Sequence, residues 1–425
     1  MIKIEYCTDP REAAALLRRR DEGSKDVSDV VSGILADVKR NGDKAILALT
    51  KRFDGAELEK LEVTQDELEC ALSLTDDAFI GTLNRAKENI HAFHLLQKQK
   101  GFAITDRPGI IMGQRVTPLD RVGIYVPGGT APLISTVLMI AIPAKIAGVG
   151  EVVMTTPPGK DGKINPAVLT AAKLAGVDRV FKCGGAQAIA GLAYGTQSIP
   201  KVDKIVGPGS IYVATAKRMV FGEVGIDMIA GPSDILVIAD ETANAAHIAA
   251  DLLSQSEHDI LASAVLVTTS KALAEAVRGE VEKQLPSLPR REIAERAVKN
   301  NSMIIITDTL KRAAEISNEI APEHLELCVA EPFALLGLIK HAGSIFLGHY
   351  TPEALGDYLA GPNHTLPTNG TARFSSPLSV DDFVKRSSYI CFDKNALESV
   401  RNDAEGFALR EGLDAHAKSV SVRFS

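Results

Sequence analysis

Gln255 and His258, in the run Ser254-Gln-Ser-Glu-His-Asp259, stand three residues apart at the end of an apolar helical stretch. On a helix that spacing puts an amide oxygen and an imidazole on one face, where both can grip one cation. Farther on come Pro322-Glu323-His324, then Gly356-Asp357-Tyr358 with Asn363-His364, and finally Glu411 and His416. Imidazoles, a carboxylate and an amide together offer mixed nitrogen and oxygen ligation, which suits zinc, with acid/base groups beside it. Each of these residues also has a plainer reading. A histidine on a helix is more often structural, and Pro322-Glu323 suits a first helical turn, with proline at its first position and the glutamate favoured by the dipole. Asp357, bounded by Gly356 and followed by Gly361-Pro362, has loop chemistry and serves equally as ligand or turn former. His91 and His94 share the same spacing but have only Glu88 beside them, so they read as solvated or half-buried helix histidines.

The elements that must position these residues follow two rhythms. Up to about residue 110, apolar residues recur at helical spacing among many charges, over Asp26–Arg40, Asp43–Arg52 and Glu67–Lys98. From Arg121, strand-like runs (Val122–Val126, Glu151–Thr156, Arg179–Lys182, Lys204–Val206) alternate with helical patterns at Pro132–Ala147, Asn165–Leu174, Ala186–Tyr194 and Ile211–Val220. A second alternation has strands Asp234–Ile238, Ala264–Thr268, Met303–Thr307 and Ser344–Leu347, with helices Ala243–Ser256, Ala272–Gln284 and Leu310–Glu319. Strands alternating with helices imply right-handed crossovers onto parallel sheets, and two units of similar size suggest an internal duplication. From about Pro377 the chain reads as polar helices ending in a strand, Val420–Phe424, too short for a core of its own and better suited to an arm.

Glycine turns follow several strands of the first alternation: Pro127-Gly128-Gly129, Gly184-Gly185 and Gly207-Pro208-Gly209. Such turns at strand carboxyl ends, leading into helices, are where open α/β sheets meet phosphate-bearing ligands, although tight turns need glycine without any ligand too. The dinucleotide fingerprint itself is absent, because Gly148-Val149-Gly150 precedes a strand and lacks a third glycine.

Composition narrows the function class. The 425 residues are 45% hydrophobic and 24% charged, as in globular proteins of more than one domain. A formal net charge of −7 gives no reason to expect nucleic acid or an anionic membrane as partner. No apolar run reaches spanning length and Met1-Ile-Lys-Ile-Glu-Tyr lacks a signal core, so a cytoplasmic location is expected. The five cysteines have no paired spacing and read as free thiols; Cys183, beside Gly184, is better read as a small buried residue than as a nucleophile.

Seven stretches together resemble the histidinol dehydrogenase family: Val122-Gly-Ile-Tyr-Val-Pro-Gly-Gly129, Cys183-Gly-Gly-Ala-Gln-Ala-Ile-Ala190, Ile205-Val-Gly-Pro-Gly209, Ala230-Gly-Pro-Ser-Asp234, Ser254–His258, Pro322-Glu-His-Leu325 and Asn363-His-Thr-Leu-Pro-Thr368. The resemblance implies an α/β fold of two successive Rossmann-like parallel-sheet units with a helical N-terminal region and a C-terminal arm. Expected divisions are 1–115 (mainly helical), 116–232 (NAD-binding), 233–376 (zinc and catalytic residues) and 377–425 (an arm exchanged in a dimer). It further implies two NAD-dependent oxidations, of L-histidinol to L-histidinal and then to L-histidine, in a cytoplasmic homodimer with shared sites.

Carried over position by position, the resemblance assigns zinc to Gln255, His258, Asp357 and His416, and NAD contacts to Tyr125, Gln187 and Ser210. Glu323 and His324 become the proton-transfer pair. Ser233, His364 and Glu411 join the substrate pocket with Gln255, His258, His324, Asp357 and His416, and Glu411 and His416 are expected to reach into a partner's site. Two departures stand out: Ser210 replaces an asparagine usual in the family, losing the amide's reach, and Ile260-Leu261 follow His258-Asp259 where glycine or proline is common. Other readings are a paralogue oxidising another small alcohol such as a dihydroxypropanesulfonate, a zinc hydrolase needing no NAD, and a non-catalytic ligand-binding protein.

Overall fold

A computed structural model describes residues 2–18, 26–128, 132–229 and 231–425. Gly129 of the first glycine turn, and Ala230 of the stretch ending at Asp234, lie outside the described residues. The chain divides into two compact units, residues 1–97 with 119–383 and residues 98–118 with 384–425.

Among the described residues, the larger unit contains two parallel sheets. The first has five strands, β4 (Arg121–Tyr125), β5 (Glu151–Thr156), β6 (Arg179–Lys182), β7 (Lys204–Val206) and β8 (Gly225–Ile226), in the order β6-β5-β4-β7-β8. The second has six: β1 (Lys3–Tyr6), β9 (Asp234–Ala239), β10 (Ser263–Thr268), β11 (Met303–Ile306), β12 (His324–Cys328) and β13 (Ser344–Leu347), in the order β1-β11-β10-β9-β12-β13. Counted from its own first strand, each unit repeats the order 3-2-1-4-5, with β1 added beyond the third strand of the second repeat. The topology thus carries the duplication that sequence identity alone does not reveal.

The central strands of both sheets are continuous apolar runs because helices cover both faces. Val122, Ile124, Val152, Val153 and Met154 are fully buried, as are Val237, Ile238, Leu266 and Val267 in the second sheet. The helices after the strands are amphipathic or wholly apolar, and Asn165, Asn244, Ser270 and Thr309 cap four of them through side-chain oxygens. Val31, Ile34, Leu35 and Val38 of the helix Ser28–Asn41 join one core with Phe181, Ile189 and Leu192 of the first repeat. Each such aliphatic side chain contributes about 1.5–3 kcal/mol on burial. The helices Ser28–Asn41 and Asp43–Phe53 are therefore part of the first repeat's core, whereas Ala13 of the helix Pro10–Arg18 joins the second repeat's.

The smaller unit is an antiparallel sheet of β2 (Phe102–Ile104), β3 (Ile110–Pro118) and β14 (Val384–Phe392), ordered β14-β3-β2, with helices Lys394–Ser399, Arg401–Arg410 and Asp414–Ser421. Two expectations change here. Residues after 377 are not all helical, since β14 pairs along its whole length with β3. The expected terminal strand Val420–Phe424 is instead the end of a helix and a short 3-10 turn, because a short apolar run carries no period that separates strand from helix.

Candidate active site

β9 and β12 are neighbours, and their amino ends are clasped by reciprocal bonds. The Glu323 N–H donates to Asp234 Oδ1 at 2.8 Å, and the Asp234 N–H donates to Glu323 Oε2 at 3.0 Å. Pro322-Glu323 therefore opens a strand rather than a helix; a proline lacking N–H suits the residue before a strand as well as a first helical turn. His324 is buried, with Nδ1 at 3.1 Å from the Asp234 carbonyl oxygen. A carbonyl only accepts, so Nδ1 carries the proton and Nε2 keeps its lone pair. Burial lowers the basicity of His324, with the Asp357 charge opposing that effect. Glu323 is pushed well above the usual carboxylate range by burial and then by the charge of Asp234, itself raised to about 6 by burial.

Against this clasp lies the end of the helix Ala245–Ser256. Gln255 is fully buried in its last turn, while His258 sits beyond the helix and is exposed. The expected shared helical face is thus replaced by a helix end followed by a turn, closed by the His258 N–H on the Gln255 carbonyl. His258 meets Glu353 and Asp357, and the ligand atoms of the three lie within 4.8 Å of one another. Asp357 is not in a loop: it follows Glu353 by four residues on the helix Glu353–Tyr358. Gly356, which suggested a turn, is small for a different reason, since a Cβ there would meet the Phe346 ring at 2.5 Å.

Glu353 escaped the sequence reading, although its spacing to Asp357 is that of one helical face. It is buried, accepts a hydrogen bond from Ser254 Oγ at 3.0 Å and lies 3.6 Å from His324 Nε2. Burial raises Glu353 to about 7, and burial together with the Glu353 charge raises Asp357 to about 7. The Gln255 amide group can face Glu353 in two ways. With its nitrogen there, it donates to both carboxylate oxygens at 3.1 and 3.2 Å while its oxygen accepts from the Asp234 N–H at 3.2 Å. With its oxygen there, acceptor faces acceptor, an arrangement that only a cation between them makes favourable. Crowded carboxylates, an imidazole and an amide oxygen make a donor set that fits zinc.

His364 is placed beside this group. Its Nδ1 donates to the Asp357 carbonyl at 3.1 Å, and its Nε2 lies 3.2 Å from Thr136 Oγ1, on the helix that follows β4. Burial lowers it to about 4, so it is neutral. Thr136 and His364 join the two repeats, as does the Asn363 amide, which donates to the Met139 carbonyl. Ser233 immediately precedes β9, and its carbonyl accepts from the Ser263 N–H. Glu411 and His416 belong to the smaller unit and are exposed, so the group described here is drawn from the larger unit alone.

Tyr125, Gln187 and Ser210 gather at the carboxyl ends of the first sheet. Tyr125 ends β4, and its Oη accepts from the Gly185 N–H at 3.1 Å. A Cβ on Gly185 would lie 2.8 Å from Gln187 Oε1, and one on Gly207 would lie 2.1 Å from the Tyr125 carbonyl oxygen. Ser210 is the exposed N-cap of the helix Ile211–Val220 and makes no capping bond. The strand order reverses between the neighbours β4 and β7, which makes this the switch point where open parallel sheets hold ligands. Cys183 is buried nearby and burial pushes its thiol far up, so it is no nucleophile. His94, fully buried and bonded to Gln97 Oε1 at 2.7 Å, is a core histidine rather than a solvated one.

Among known proteins, the family model described as histidinol dehydrogenase matches residues 17–424. A histidinol dehydrogenase of Clostridium acetobutylicum is 56% identical over 410 residues, covering 96% of this chain and 95% of the relative. One of Geobacter sulfurreducens is 57% identical over 416 residues, covering 97% and 96%. The crystal structure of histidinol dehydrogenase from Elizabethkingia anophelis superimposes with a TM-score of 0.94 at 40% identity, covering 100% of this chain and 98% of that one.

Proposed function

Because the chain belongs to the histidinol dehydrogenase family, we propose that it oxidises L-histidinol through L-histidinal to L-histidine in two NAD-dependent steps. The observation that carries this reading is the clasp at the amino ends of β9 and β12, which leaves His324 Nε2 as a base beside a group of metal-binding donors. Gln255, His258 and Asp357 would hold zinc, with His416 contributed across a homodimer, and Glu353 stands among those donors. Tyr125, Gln187 and Ser210 would contact NAD, while Ser233, His364 and Glu411 would line the substrate pocket with the zinc-binding residues and His324. When bound, NAD would accept hydride in each oxidation, and zinc would orient the imidazole and amino nitrogens of the substrate.

The chain's own groups then move protons. His324 Nε2 takes the alcohol proton in the first oxidation. In the second, ionised Glu323 takes a proton from water as that water adds to the aldehyde carbon, while His324 returns the proton it took in the first oxidation to the carbonyl oxygen; neutral again, His324 then takes a hydroxyl proton from the resulting hydrate. His364, neutral and held by Thr136 and Asp357, keeps the pocket wall fixed without adding charge.

Free cysteines, and no helix among the described residues long and apolar enough to cross a membrane, support a cytoplasmic setting. The test is NADH production by zinc-loaded protein given L-histidinol and NAD, with a chelated control and dihydroxypropanesulfonate as comparator. Two NADH per histidinol, lost on chelation and restored by zinc, are expected. Turnover of the sulfonate alone would move the chain to another alcohol. No reduction of NAD with either substrate would return a hydrolase or a binding protein to first place.

A further inference from the structure

Behind the glycine turn at the first sheet's switch point lies an ion pair with almost no exposure: the side chains of Lys217 and Asp227 are 2% and 1% exposed. Removing two charges from water costs more than their attraction returns unless further hydrogen bonds satisfy them. Those further bonds converge on one residue. Asp227 Oδ2 accepts from the Gly207 N–H at 2.8 Å, and Lys217 Nζ donates to the Gly207 carbonyl at 2.9 Å. The pair therefore grips both polar groups of a single backbone residue. An apolar pair of the same volume would fill the space but could not do that.

The gripped residue has nowhere else to go. Gly207 has φ 131, a conformation left to glycine, and a Cβ there would lie 2.1 Å from the Tyr125 carbonyl oxygen. Its turn leads through Pro208-Gly209 to Ser210 and the helix Ile211–Val220, which itself carries Lys217. The first bond closing that helix runs from the Ala214 N–H to the Ser210 carbonyl. The N–H groups of Ile211, Tyr212 and Val213 thus lie ahead of the helix's own ladder, at the crevice between β4 and β7. Asp227, following β8, adds the sheet to the same clamp through its N–H on the Ile205 carbonyl.

We propose that Lys217 and Asp227 are positioning residues for the cofactor, fixing the turn Gly207–Ser210 so that Ser210 and the helix amino end meet NAD in a set geometry. The inference rests on the NAD reading above. It also gives Ser210 a context: where a shorter side chain replaces an amide, the backbone donors carry more of the contact, and their placement is what the clamp controls. The chemistry at β9 and β12 is left untouched by it.

The test compares wild type with Lys217→Met and Asp227→Asn, each as full-length, zinc-loaded protein. NAD binding is read by calorimetry, and both half-reactions by steady-state kinetics. The expected result is a rise of roughly tenfold or more in the Kd and KM for NAD, with kcat and histidinol binding changed by less than about twofold. Asp227→Asn keeps an acceptor for the Gly207 N–H and should show the smaller loss, so it carries the test if Lys217→Met does not fold. Folded variants with unchanged NAD affinity overturn the proposal, as does a fall in kcat at unchanged KM, which would mean only fewer folded molecules. A wild-type protein that binds no NAD while both variants keep its fold overturns the NAD reading itself and the clamp's role with it.

Discussion

A base that works at neutral pH must be unprotonated there, and burial biases His324 toward that state while a hydrogen bond fixes its tautomer. The Asp234 carbonyl fixes the proton on Nδ1, and burial lowers the affinity of Nε2 for a second one. Glu323 has the opposite bias, since burial and Asp234 hold it well above the usual carboxylate range. It is a base only when ionised, so the aldehyde step should quicken as pH rises through its raised pKa, whereas the alcohol step depends on His324 alone. His324→Ala should slow both half-reactions by about 10²–10⁴-fold. Glu323→Gln should slow aldehyde oxidation far more than alcohol oxidation, and should abolish the rise of the aldehyde step with pH. Stopped-flow NADH traces starting from histidinol and from histidinal separate these outcomes, and equal losses in both would sink the division of labour. Residue type and spacing alone brought out Gln255, His258, Asp357 and the Glu323-His324 pair. Glu353 stayed hidden, because a glutamate opening a helix after Pro352 is ordinary and its function as a neighbour depends on burial.

Apolar runs bounded by turn-forming residues leave a clear sequence pattern, which is why β5, β6, β7 and β13 begin and end where those runs do. β1, β2, β3 and β14 leave none, because they are short, partly exposed or paired across great sequence distances: Val384 lies opposite Pro118, and Lys3 opposite Met303. Shared strand order also conceals a division of work between the two repeats. In the first, glycine turns stand at the carboxyl ends, packed against Pro157 and the Tyr125 carbonyl. In the second, Asp240 fills the equivalent place, accepting from the Thr242 N–H at 3.0 Å and the Ala330 N–H at 2.9 Å. Its candidate chemistry gathers instead at the amino ends, where the clasp between β9 and β12 couples Asp234 to Glu323. Asp234→Asn keeps an acceptor for the Glu323 N–H but removes the charge that raises Glu323. The pH rise of the aldehyde step should therefore move to lower pH, with the alcohol step little changed. A pH–rate profile of histidinal oxidation reads this directly, and an unmoved profile would mean that burial, with the charges of Glu353 and Asp357, sets Glu323 without Asp234.

Across the whole molecule, the same carboxylates tie stability to pH and to metal. Asp234, Glu353 and Asp357 have ordinary values near 4 but stand at about 6, 7 and 7 in the fold. Between those limits the native state holds protons that the unfolded chain has released, so the contribution of these three groups to stability is greatest below about pH 4 and declines as pH rises to about 7, while buried His364, lowered to about 4, opposes it over the same range. Metal-free Glu353→Gln protein should accordingly lose less Tm over that range than metal-free wild type. Zinc, which favours the ionised groups, should restore about 2.7 kcal/mol at a hundredfold excess over its Kd, and scanning calorimetry with chelator or zinc checks both. The proposed homodimer extends the argument beyond one chain. If His416 completes the site of a second subunit, a site needs His258 from one chain and His416 from the other. His258→Ala and His416→Ala proteins should each be inactive alone. Co-expressed under two tags, they should form mixed dimers in which one site has both histidines, and random pairing should recover about a quarter of wild-type activity and zinc content. Recovery confined to the doubly tagged fraction would place the second histidine across the interface. No recovery in that fraction would mean that each chain builds its site from its own residues.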